Sequence, residues 1–208
     1  MVTATRDGHS ISPVTNDAEV DIVAGAPYVV RVEIEGTAAL LFHRYSNEAV
    51  ASKAAAAKNS KAKKTDNVES YVYRTKDNHL AAPGEWIRMA LVAIAKFKQD
   101  PRSPRKSASD LYKAAIVVLT ELASLGTADW DYLDRRRVMV QRNGITRERP
   151  AMFPGWRAQF DIQVLLPEYI ASNDVLDALV MAGRINGLGD FRPTYGRFQV
   201  TRFELLPD

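Results

Sequence analysis

The chain has 208 residues, no cysteine and only three histidines, His9, His43 and His79. The lack of cysteine excludes disulfide bonds and thiolate metal sites. Three scattered histidines do not supply the clustered ligands of a histidine-rich metal site. We therefore expect no metal and no cofactor.

The chain also lacks long hydrophobic runs. No window approaches the roughly 18 consecutive apolar residues that a membrane span requires, and residues 1–17 have no apolar centre of the kind found in signal peptides. We therefore expect a cytoplasmic protein with no membrane partner. With 46% hydrophobic residues, the chain can still bury one large core. We expect a flexible arm over residues 1–25 and a single domain over residues 26–208, with an insertion at about 46–68.

Positive charge is concentrated in three clusters. Residues 48–64 hold five lysines and one acid, residues 96–106 hold five basic residues and one acid, and residues 135–149 hold six arginines and one acid. A solvated surface accounts for any one such cluster taken alone. Three clusters together favour a surface that binds a polyanion.

Alternation of apolar and polar residues predicts three long strands, over residues 28–36, 156–166 and 197–206. The first places Val30, Val32 and Ile34 on one face, and the second does the same with Trp156, Ala158, Phe160, Ile162 and Val164. Two hairpins are also predicted, with turns at Asp77-Asn78 and at Asn143-Gly144.

The spacing of apolar residues predicts a helix over residues 82–98. Pro83 lies near its first turn, and Glu85 lies where it complements the helix dipole. Its apolar stripe consists of Ile87, Ala90, Leu91 and Ile94.

A second helix is predicted from about residue 173 to residue 185, with Ser172 as its cap and an end at Asn186-Gly187. The side chains expected to face inward are Val175, Leu176, Leu179 and Val180. The apolar run over residues 111–125 fits either a helix or a buried strand, and its β-branched centre at 116–118 favours a strand there.

The resulting order is strand, helix, strand, strand, helix, strand. This order predicts an α+β, ferredoxin-like fold, with an antiparallel sheet and helices on one of its faces. In RNA-recognition (RRM-like) modules of this topology, the open face of the sheet or its edges bind single strands.

The stretch "GRINGLGDFRPTYGRFQV", residues 183–200, combines four glycines with three arginines. Glycine lets backbone amides approach a phosphate closely, and arginine neutralises phosphates. Phe191 and Tyr195 can stack on bases. The structural alternatives are core packing of these two rings against the second helix and surface salt bridges of Arg192 and Arg197.

Three segments share features with one known family. "GLGDFRPTYGRF", residues 187–198, has a glycine-rich pattern supplied by Gly187, Leu188, Gly189, Arg192, Gly196 and Phe198. "LAAPGEWIRMAL", residues 80–91, shares Pro83, Gly84, Ile87 and Leu91 with a segment that opens the family's first helix, and departs from it at Glu85, Trp86 and Met89. The first strand is followed by "TAALLFHR". Together these segments resemble the RAMP superfamily, the RNA-binding proteins of CRISPR effector complexes.

The resemblance implies a ferredoxin-like fold and an RNA-binding role. Backbone subunits of the superfamily polymerise along a guide RNA and carry a basic, thumb-like insertion after the first strand, where residues 49–64 lie in this chain. The resemblance therefore implies a backbone-type subunit, or a stand-alone relative from a phage or other mobile element. Such a subunit would coat RNA as a homo-oligomeric array, alone or with other effector-complex subunits.

The candidate nucleic-acid-binding residues come from the C-terminal stretch, from the pair after the first strand and from the basic clusters. They are His43, Arg44, Lys53, Lys58, Lys61, Lys63, Lys64, Arg88, Arg142, Arg184, Gly187, Gly189, Phe191, Arg192, Tyr195, Gly196 and Arg197.

No catalytic residue is assigned. Some superfamily members cut RNA with a histidine or aspartate in the loop after the first strand, so an RNA endonuclease centred on His43 is an alternative. A lone histidine next to an aromatic residue is more often structural or a phosphate donor, and Glu48 has no second carboxylate near it in sequence. The acids of "DWDYLD", residues 129–134, alternate with aromatic residues as in a surface loop that enters a strand.

Two further classes of protein remain open. A phage structural protein would share the β-rich composition but has little use for arginines beside a glycine-rich turn. A single-strand DNA-binding or annealing recombination protein, with other recombination proteins as partners, would share every binding feature. The sequence therefore does not separate RNA from DNA as the ligand.

Overall fold

The computed structural model describes residues 25–45, 51, 55, 67–140 and 143–207. The predicted arm, apart from Gly25, and nearly all of the predicted insertion at 46–68 lie outside these residues. The described strands are β1 (Tyr28–Gly36), β2 (Leu40–Leu41), β3 (Ala81–Pro83), β4 (Gln99–Asp100), β5 (Ser103–Ser107), β6 (Ile116–Val118), β7 (Leu122–Ser124), β8 (Tyr132–Val140), β9 (Asn143–Met152), β10 (Arg157–Val164) and β11 (Phe198–Leu206). The described helices are α1 (Gly84–Ala95), α2 (Ser109–Ala115) and α3 (Ser172–Ile185), with a 3-10 turn at Val68–Tyr71. None of these three helices is long and apolar enough to cross a membrane.

The main sheet has four antiparallel strands in the order β11-β1-β10-β6. Along the chain, these strands and two of the helices follow the order β1-α1-β6-β10-α3-β11, which is that of a ferredoxin-like fold. The predicted α+β fold is confirmed. The predicted long strands correspond to β1, β10 and β11.

The core lies between one face of this sheet and the helices. Val30, Val32 and Ile34 of β1 are fully buried because alternate side chains of a strand point to the same side. The other predicted core residues that are buried are Trp156, Ala158, Phe160, Ile162 and Val164 of the β10 segment and Ile87, Ala90, Leu91 and Ile94 of α1. The sequence patterns of these three elements are therefore confirmed.

Helix α3 departs from the prediction at two positions. Ser172 is the first helical residue and Ala171 is the N-cap, while a carboxylate oxygen of Asp174 accepts a hydrogen bond from the Ala171 amide at 3.1 Å. An acid in the first turn thus satisfies an amide that the helix itself leaves unpaired. Val180 is 41% exposed rather than inward. The buried stripe instead consists of Val175, Ala178, Leu179, Ala182 and Gly183.

The structure also refines the predictions for residues 111–125 and for the hairpin around Asn143-Gly144. The run over residues 111–125 contains both candidate elements, because α2 ends at Ala115 and β6 follows directly over the favoured strand positions. The predicted hairpin around Asn143-Gly144 is confirmed by the antiparallel pairing of β8 and β9, but its turn does not lie at these two residues. Strand pairing continues to Val140 and Asn143, and Gly144 pairs with Met139, so both predicted turn residues belong to β9. Asn78, with a φ of 64°, does lie in a turn, between the bridge partners Arg74 and Leu80.

A second sheet, with the order β2-β9-β8, extends from the chain segment that follows β1. The backbone of that segment also accepts hydrogen bonds from residues 186–197, which we call the glycine-rich loop. The Asp190 amide donates to the Leu41 carbonyl at 3.0 Å, and the Gly196 amide donates to the Ala39 carbonyl at 2.7 Å. The segment after β1, the hairpin β8-β9 and the glycine-rich loop therefore form one edge of the molecule.

The open face of the main sheet is covered by paired charges. Its ion pairs are Arg31–Asp161, Arg157–Glu35, Arg202–Glu33 and Arg202–Glu204. Three arginines thus meet four carboxylates, so these pairs leave no excess of positive charge. On the open side of β1 and β10 there is also no aromatic side chain. The face that RRM-like modules use is therefore poorly suited to a polyanion in this chain. The edge formed by the glycine-rich loop is the better candidate for such a surface.

Gly189 provides a test of how the loop is docked. A Cβ atom there would lie 2.5 Å from the Leu41 carbonyl oxygen, whereas at Gly126, whose φ is 77° against 73° for Gly189, it would meet nothing within 4 Å. Both alanine substitutions carry the same left-handed backbone strain, about 1–2 kcal/mol. Gly189→Ala adds a steric clash of about 1–3 kcal/mol. We expect its Tm to lie below that of Gly126→Ala by about 2–4 °C per kcal/mol, and equal Tm values would contradict the docking.

Candidate nucleic-acid interface

Arginines and aromatic rings converge where the hairpin meets the glycine-rich loop. The group, which we call the arginine–aromatic cluster, consists of His43, Arg136, Arg147, Arg149, Asp190, Phe191 and Tyr195. Its members come from three segments that are far apart in sequence, namely the residues after β2, the hairpin β8-β9 and the glycine-rich loop. The fold therefore brings together what the sequence separates.

The register of the hairpin sets the positions of the arginines. Asp134 lies opposite Arg149, and Arg136 lies opposite Arg147. Directly opposite residues share one face of a sheet, where like charges repel each other. The Asp134 carboxylate, only 10% exposed, binds Arg136 at 2.7 Å. One face of the hairpin thus carries three arginines, Arg136, Arg147 and Arg149, in two successive pairs of that face.

Asp190 is an acidic partner shared by two cluster members. Its Oδ2 accepts a hydrogen bond from Arg149 Nε at 2.6 Å and lies 3.4 Å from His43 Nδ1. The Phe191 amide donates to Oδ1 at 2.9 Å. Burial raises the pKa of Asp190, but the His43 and Phe191 hydrogen bonds and the Arg149 and His43 charges outweigh burial and lower the pKa to about 2. Asp190 is therefore ionised at neutral pH.

The two rings of the loop lie against the hairpin arginines. The Phe191 and Tyr195 rings meet edge to face, with centroids 6.5 Å apart. The Arg149 Cζ atom lies 4.5 Å from the Phe191 centroid, and the Arg136 Cζ atom lies 4.7 Å from the Tyr195 centroid. Phe191 is 37% exposed, so the predicted alternative of a ring inside the core does not describe it. Cations over ring faces are attracted by the ring quadrupole, which keeps these arginines close to an accessible aromatic surface.

His43 and Arg44 lead from the cluster to a second aromatic group. The His43 ring meets Tyr71 edge to face at 5.0 Å. The Arg44 Cζ atom lies 5.3 Å from the Tyr73 centroid, and Tyr73 in turn meets Trp86 edge to face at 5.7 Å. The predicted binding residues His43 and Arg44 thus lie between the arginine–aromatic cluster and the aromatic side chains of Tyr71 and Tyr73.

The remaining arginines of the C-terminal stretch surround the loop. Arg184, Arg192 and Arg197 are exposed, and Arg184 and Arg197 line one groove with Ile185, Pro193 and Thr194. None of the three arginines forms an ion pair with another residue of the described ranges, so the structural alternative of surface salt bridges for Arg192 and Arg197 is not found there.

The glycines serve mainly the shape of the loop. Gly187, Gly189 and Gly196 have φ values of 73°, 73° and 71°, a region that other residues rarely adopt. The Gly187 amide donates to the Ala182 carbonyl at 2.8 Å, and the Gly196 amide donates to Ala39. These two amides are already used within the fold, contrary to the expectation that they approach a phosphate.

Arg88 lies apart from the cluster. Its Nη2 and Nε atoms donate to the carbonyls of Lys113 at 2.8 Å and Ile116 at 3.1 Å, so Arg88 caps the backbone where α2 leads into the edge strand β6. Several other predicted binding residues lie outside the described residues, namely Lys53, Lys58, Lys61, Lys63, Lys64 and Arg142.

Sequence reasoning located the arginine-rich segment at 135–149 but selected only Arg142 from it. Arg136, Arg147 and Arg149 were missed as candidates, although the alternation of a strand separates them from Arg135. That arginine pairs with Glu148 on the other side of the ladder, at 2.8 Å. No sequence pattern indicates that Asp190 belongs to the site, because its partners Arg149 and His43 come from other parts of the chain.

Two of the three acids of "DWDYLD" have structural partners. A carboxylate oxygen of Asp131 accepts a hydrogen bond from the Phe153 amide at 2.7 Å, and Asp134 binds Arg136. Tyr132 begins β8, as a loop leading into a strand predicts. In the part of the chain that the structure describes, no three histidine or acidic side chains lie close enough to hold a metal ion together.

The fold and the candidate site define a ferredoxin-like α+β domain with an arginine- and aromatic-rich edge. It is similar to a chain in the cryo-EM structure of the Type III-B Cmr-beta bound to cognate target RNA, with a TM-score of 0.53 and 13% sequence identity. The similarity covers 88% of this chain and 61% of that chain, so this chain spans less than two thirds of its counterpart. At this identity the similarity shows the fold alone, and it agrees with the α+β fold described above. No family model and no curated protein matches the chain.

The low pKa of Asp190 predicts a specific loss of stability in acid. Because its folded-state pKa of about 2 lies below the unfolded value of about 3.9, ionised Asp190 stabilises the fold above pH 4, and this contribution is lost as the pH falls towards 2. We expect Asp190→Asn to lower the free energy of unfolding at pH 6, and the difference from wild type to shrink between pH 4 and pH 2. Urea unfolding at each pH measures this.

Asp110→Asn is the control for that measurement, because Asp110 is 83% exposed in its ion pair with Lys113, and such pairs contribute little. A difference between wild type and Asp190→Asn that does not change with pH would show that Asp190 is not held ionised by its neighbours.

Proposed function

We propose that this protein binds single-stranded nucleic acid, and RNA in particular, through the arginine–aromatic cluster and the exposed arginines around the glycine-rich loop. The observation that carries the proposal is the placement of exposed Phe191 and its neighbour Tyr195 against Arg136 and Arg149. The paired charges on the open face of the sheet support a binding site at the loop edge. Because the carboxylates neutralise the arginines on the open face, the loop edge is the more favourable side for a polyanion.

The two kinds of side chain would make different contributions. Base stacking on an aromatic ring contributes about 1–3 kcal/mol per base and tolerates any sequence. Arginines neutralise phosphates and release counterions, which makes affinity depend strongly on salt. A surface that combines both fits a binder of single strands with little sequence preference.

RNA is proposed ahead of DNA because the fold is similar to that of a chain in an RNA-bound Cmr-beta structure and because the motifs resemble those of RNA-binding proteins. A single-strand DNA-binding or annealing protein would use the same surface. Affinities for RNA and DNA oligonucleotides of one sequence, measured side by side, decide between the two. Tighter binding of DNA would support the recombination alternative.

Arg197 and Arg157 form a matched pair for testing the location of the site. Both are exposed arginines, but Arg197 borders the glycine-rich loop and Arg157 lies on the open face of the sheet. We expect Arg197→Ala to weaken binding of all single strands similarly and to reduce the slope of log affinity against log salt by about 0.7, the share of one phosphate. Fluorescence anisotropy at several salt concentrations measures this.

Arg157→Ala removes the same charge and is expected to leave the slope unchanged. Equal effects of the two substitutions would indicate a response to net charge rather than to a site. Full affinity in both variants, or a wild-type slope near zero, would contradict the proposed interface.

We further propose that copies of the chain pack side by side along one strand. The proposal rests on the resemblance to array-forming subunits and on the basic tract at residues 49–64, whose lysines would add contacts to the backbone of the strand. Head-to-tail contacts that do not close into a ring would continue for the length of the ligand.

The array predicts that the number of bound copies increases with ligand length. Mass photometry with RNA of increasing length should show protein mass rising in steps of one chain, each step occupying on the order of 4–16 nucleotides. Complexes that keep one copy on long RNA would contradict the array while leaving single-strand binding intact.

A further inference from the structure

Arg149 contains a buried donor that the fold does not use. Its side chain is only 7% exposed, and its Nε atom donates to Asp190. Its Nη1 atom is buried and has no hydrogen-bond partner, and it is the one such side-chain atom in the described ranges. Buried donors are nearly always paired because leaving one unpaired costs free energy. A charged donor in this state therefore calls for a physical explanation.

The Phe191 ring lies directly over this guanidinium group. The Arg149 Cζ atom is 4.5 Å from the ring centroid, so the ring supplies a cation–π contact where a hydrogen-bond acceptor is missing. Phe191 itself is 37% exposed, so part of its surface is accessible to solvent. Phe191 thus separates a charged donor from the surface.

The backbone at Phe191 is strained and held in place. Its φ is 54°, a left-handed conformation that is a true outlier for a bulky residue. Strain of this kind is often found at ligand clamps and switches. The Phe191 amide donates to Asp190 Oδ1, and its carbonyl accepts from the Tyr195 amide at 3.2 Å. With the backbone fixed on both sides, rotation about the side-chain bonds is the movement left to the ring.

We propose that Phe191 is a gate over a phosphate site formed by Arg149. When a single strand binds, the ring turns away from Arg149 and stacks on a base, and a backbone phosphate takes its place as the partner of the unpaired Nη1 donor. Arg136, whose Cζ atom lies 5.7 Å from the Phe191 ring centroid, flanks this position and adds positive charge. The gate rests on the proposed function, because its ligand is the same single strand.

Asp190 acts in this scheme as an internal competitor. Its carboxylate accepts a hydrogen bond from Arg149 Nε and lies close to His43. It therefore neutralises positive charge of Arg149 that would otherwise attract a phosphate. Removing the Asp190 charge should therefore strengthen binding and raise the dependence of affinity on salt. A carboxylate with a purely structural role would have no such effect on binding.

The movement of the ring is tested with 4-fluorophenylalanine in place of Phe191 and fluorine NMR. On saturation with an oligouridylate of about 12 nucleotides, a length within the range of single-strand sites, we expect the resonance to shift. The control is the same label at Phe97, which is 60% exposed and lies under a cation, Lys96 Nζ at 4.7 Å, at the end of α1. Its resonance should stay in place.

The phosphate contact is tested with Asp190→Asn and with the double variant Arg149→Gln/Asp190→Asn, which avoids an unpaired buried charge. We expect the single variant to bind the oligouridylate more tightly than wild type. The double variant should show a salt slope about 0.7 lower than the single variant, the share of one phosphate.

Three outcomes would overturn the gate while wild type still binds RNA: an unmoved resonance at position 191, equal slopes in the single and double variants, or no gain in affinity from Asp190→Asn. Failure of wild type to bind any single strand would instead remove the proposed function itself. The labelled protein keeps all its charged residues, so the test of ring movement does not depend on the stability of the variants.

Discussion

Contact between the glycine-rich loop and the backbone of residues 39–41 is the constraint on which the candidate site depends. Gly189 and Gly196 approach neighbouring backbone so closely that a Cβ atom would lie 2.5 Å from Leu41 and 1.8 Å from Leu188. The close approach places Asp190 beside the hairpin, where it binds Arg149. Loop shape, ion pairing and the position of the two rings therefore follow from the small size of two residues.

The charges of the molecule are organised in two different ways. On the open face of the sheet, exposed arginines and carboxylates pair with one another, an arrangement that usually contributes no more than about 1 kcal/mol per pair. At the loop edge, Arg149 is buried and bound to Asp190, which is 31% exposed, and removing Asp190 would leave a buried charge without its carboxylate partner, which is unfavourable. The loop edge is thus built around charges that the fold must keep in place.

The fold was predictable because its core elements have clear local patterns. Val30, Val32 and Ile34 alternate in β1, and Ile87 and Leu91 share one side of α1. The candidate site was only partly predictable. His43 and Phe191 were recognised individually, but Arg149 joins them through a strand register and an ion pair with Asp190, and no local pattern encodes contacts between residues so far apart. The sequence places the hairpin turn at Asn143-Gly144 because Asn-Gly is a strong turn signal. In the structure, strand pairing along the whole hairpin includes both residues in β9.

The balanced open face of the sheet also affects how the molecule orients in solution. Carboxylates neutralise the arginines on that side, whereas Arg184, Arg192 and Arg197 around the glycine-rich loop are exposed and form no ion pair within the described residues. Unpaired positive charge attracts a polyanion more strongly than balanced charge does, so a polyanion bound as proposed would approach the loop edge first. For the proposed interface, the local arrangement of charge would then matter more than the small net charge of +3, and the open face would point away from the ligand.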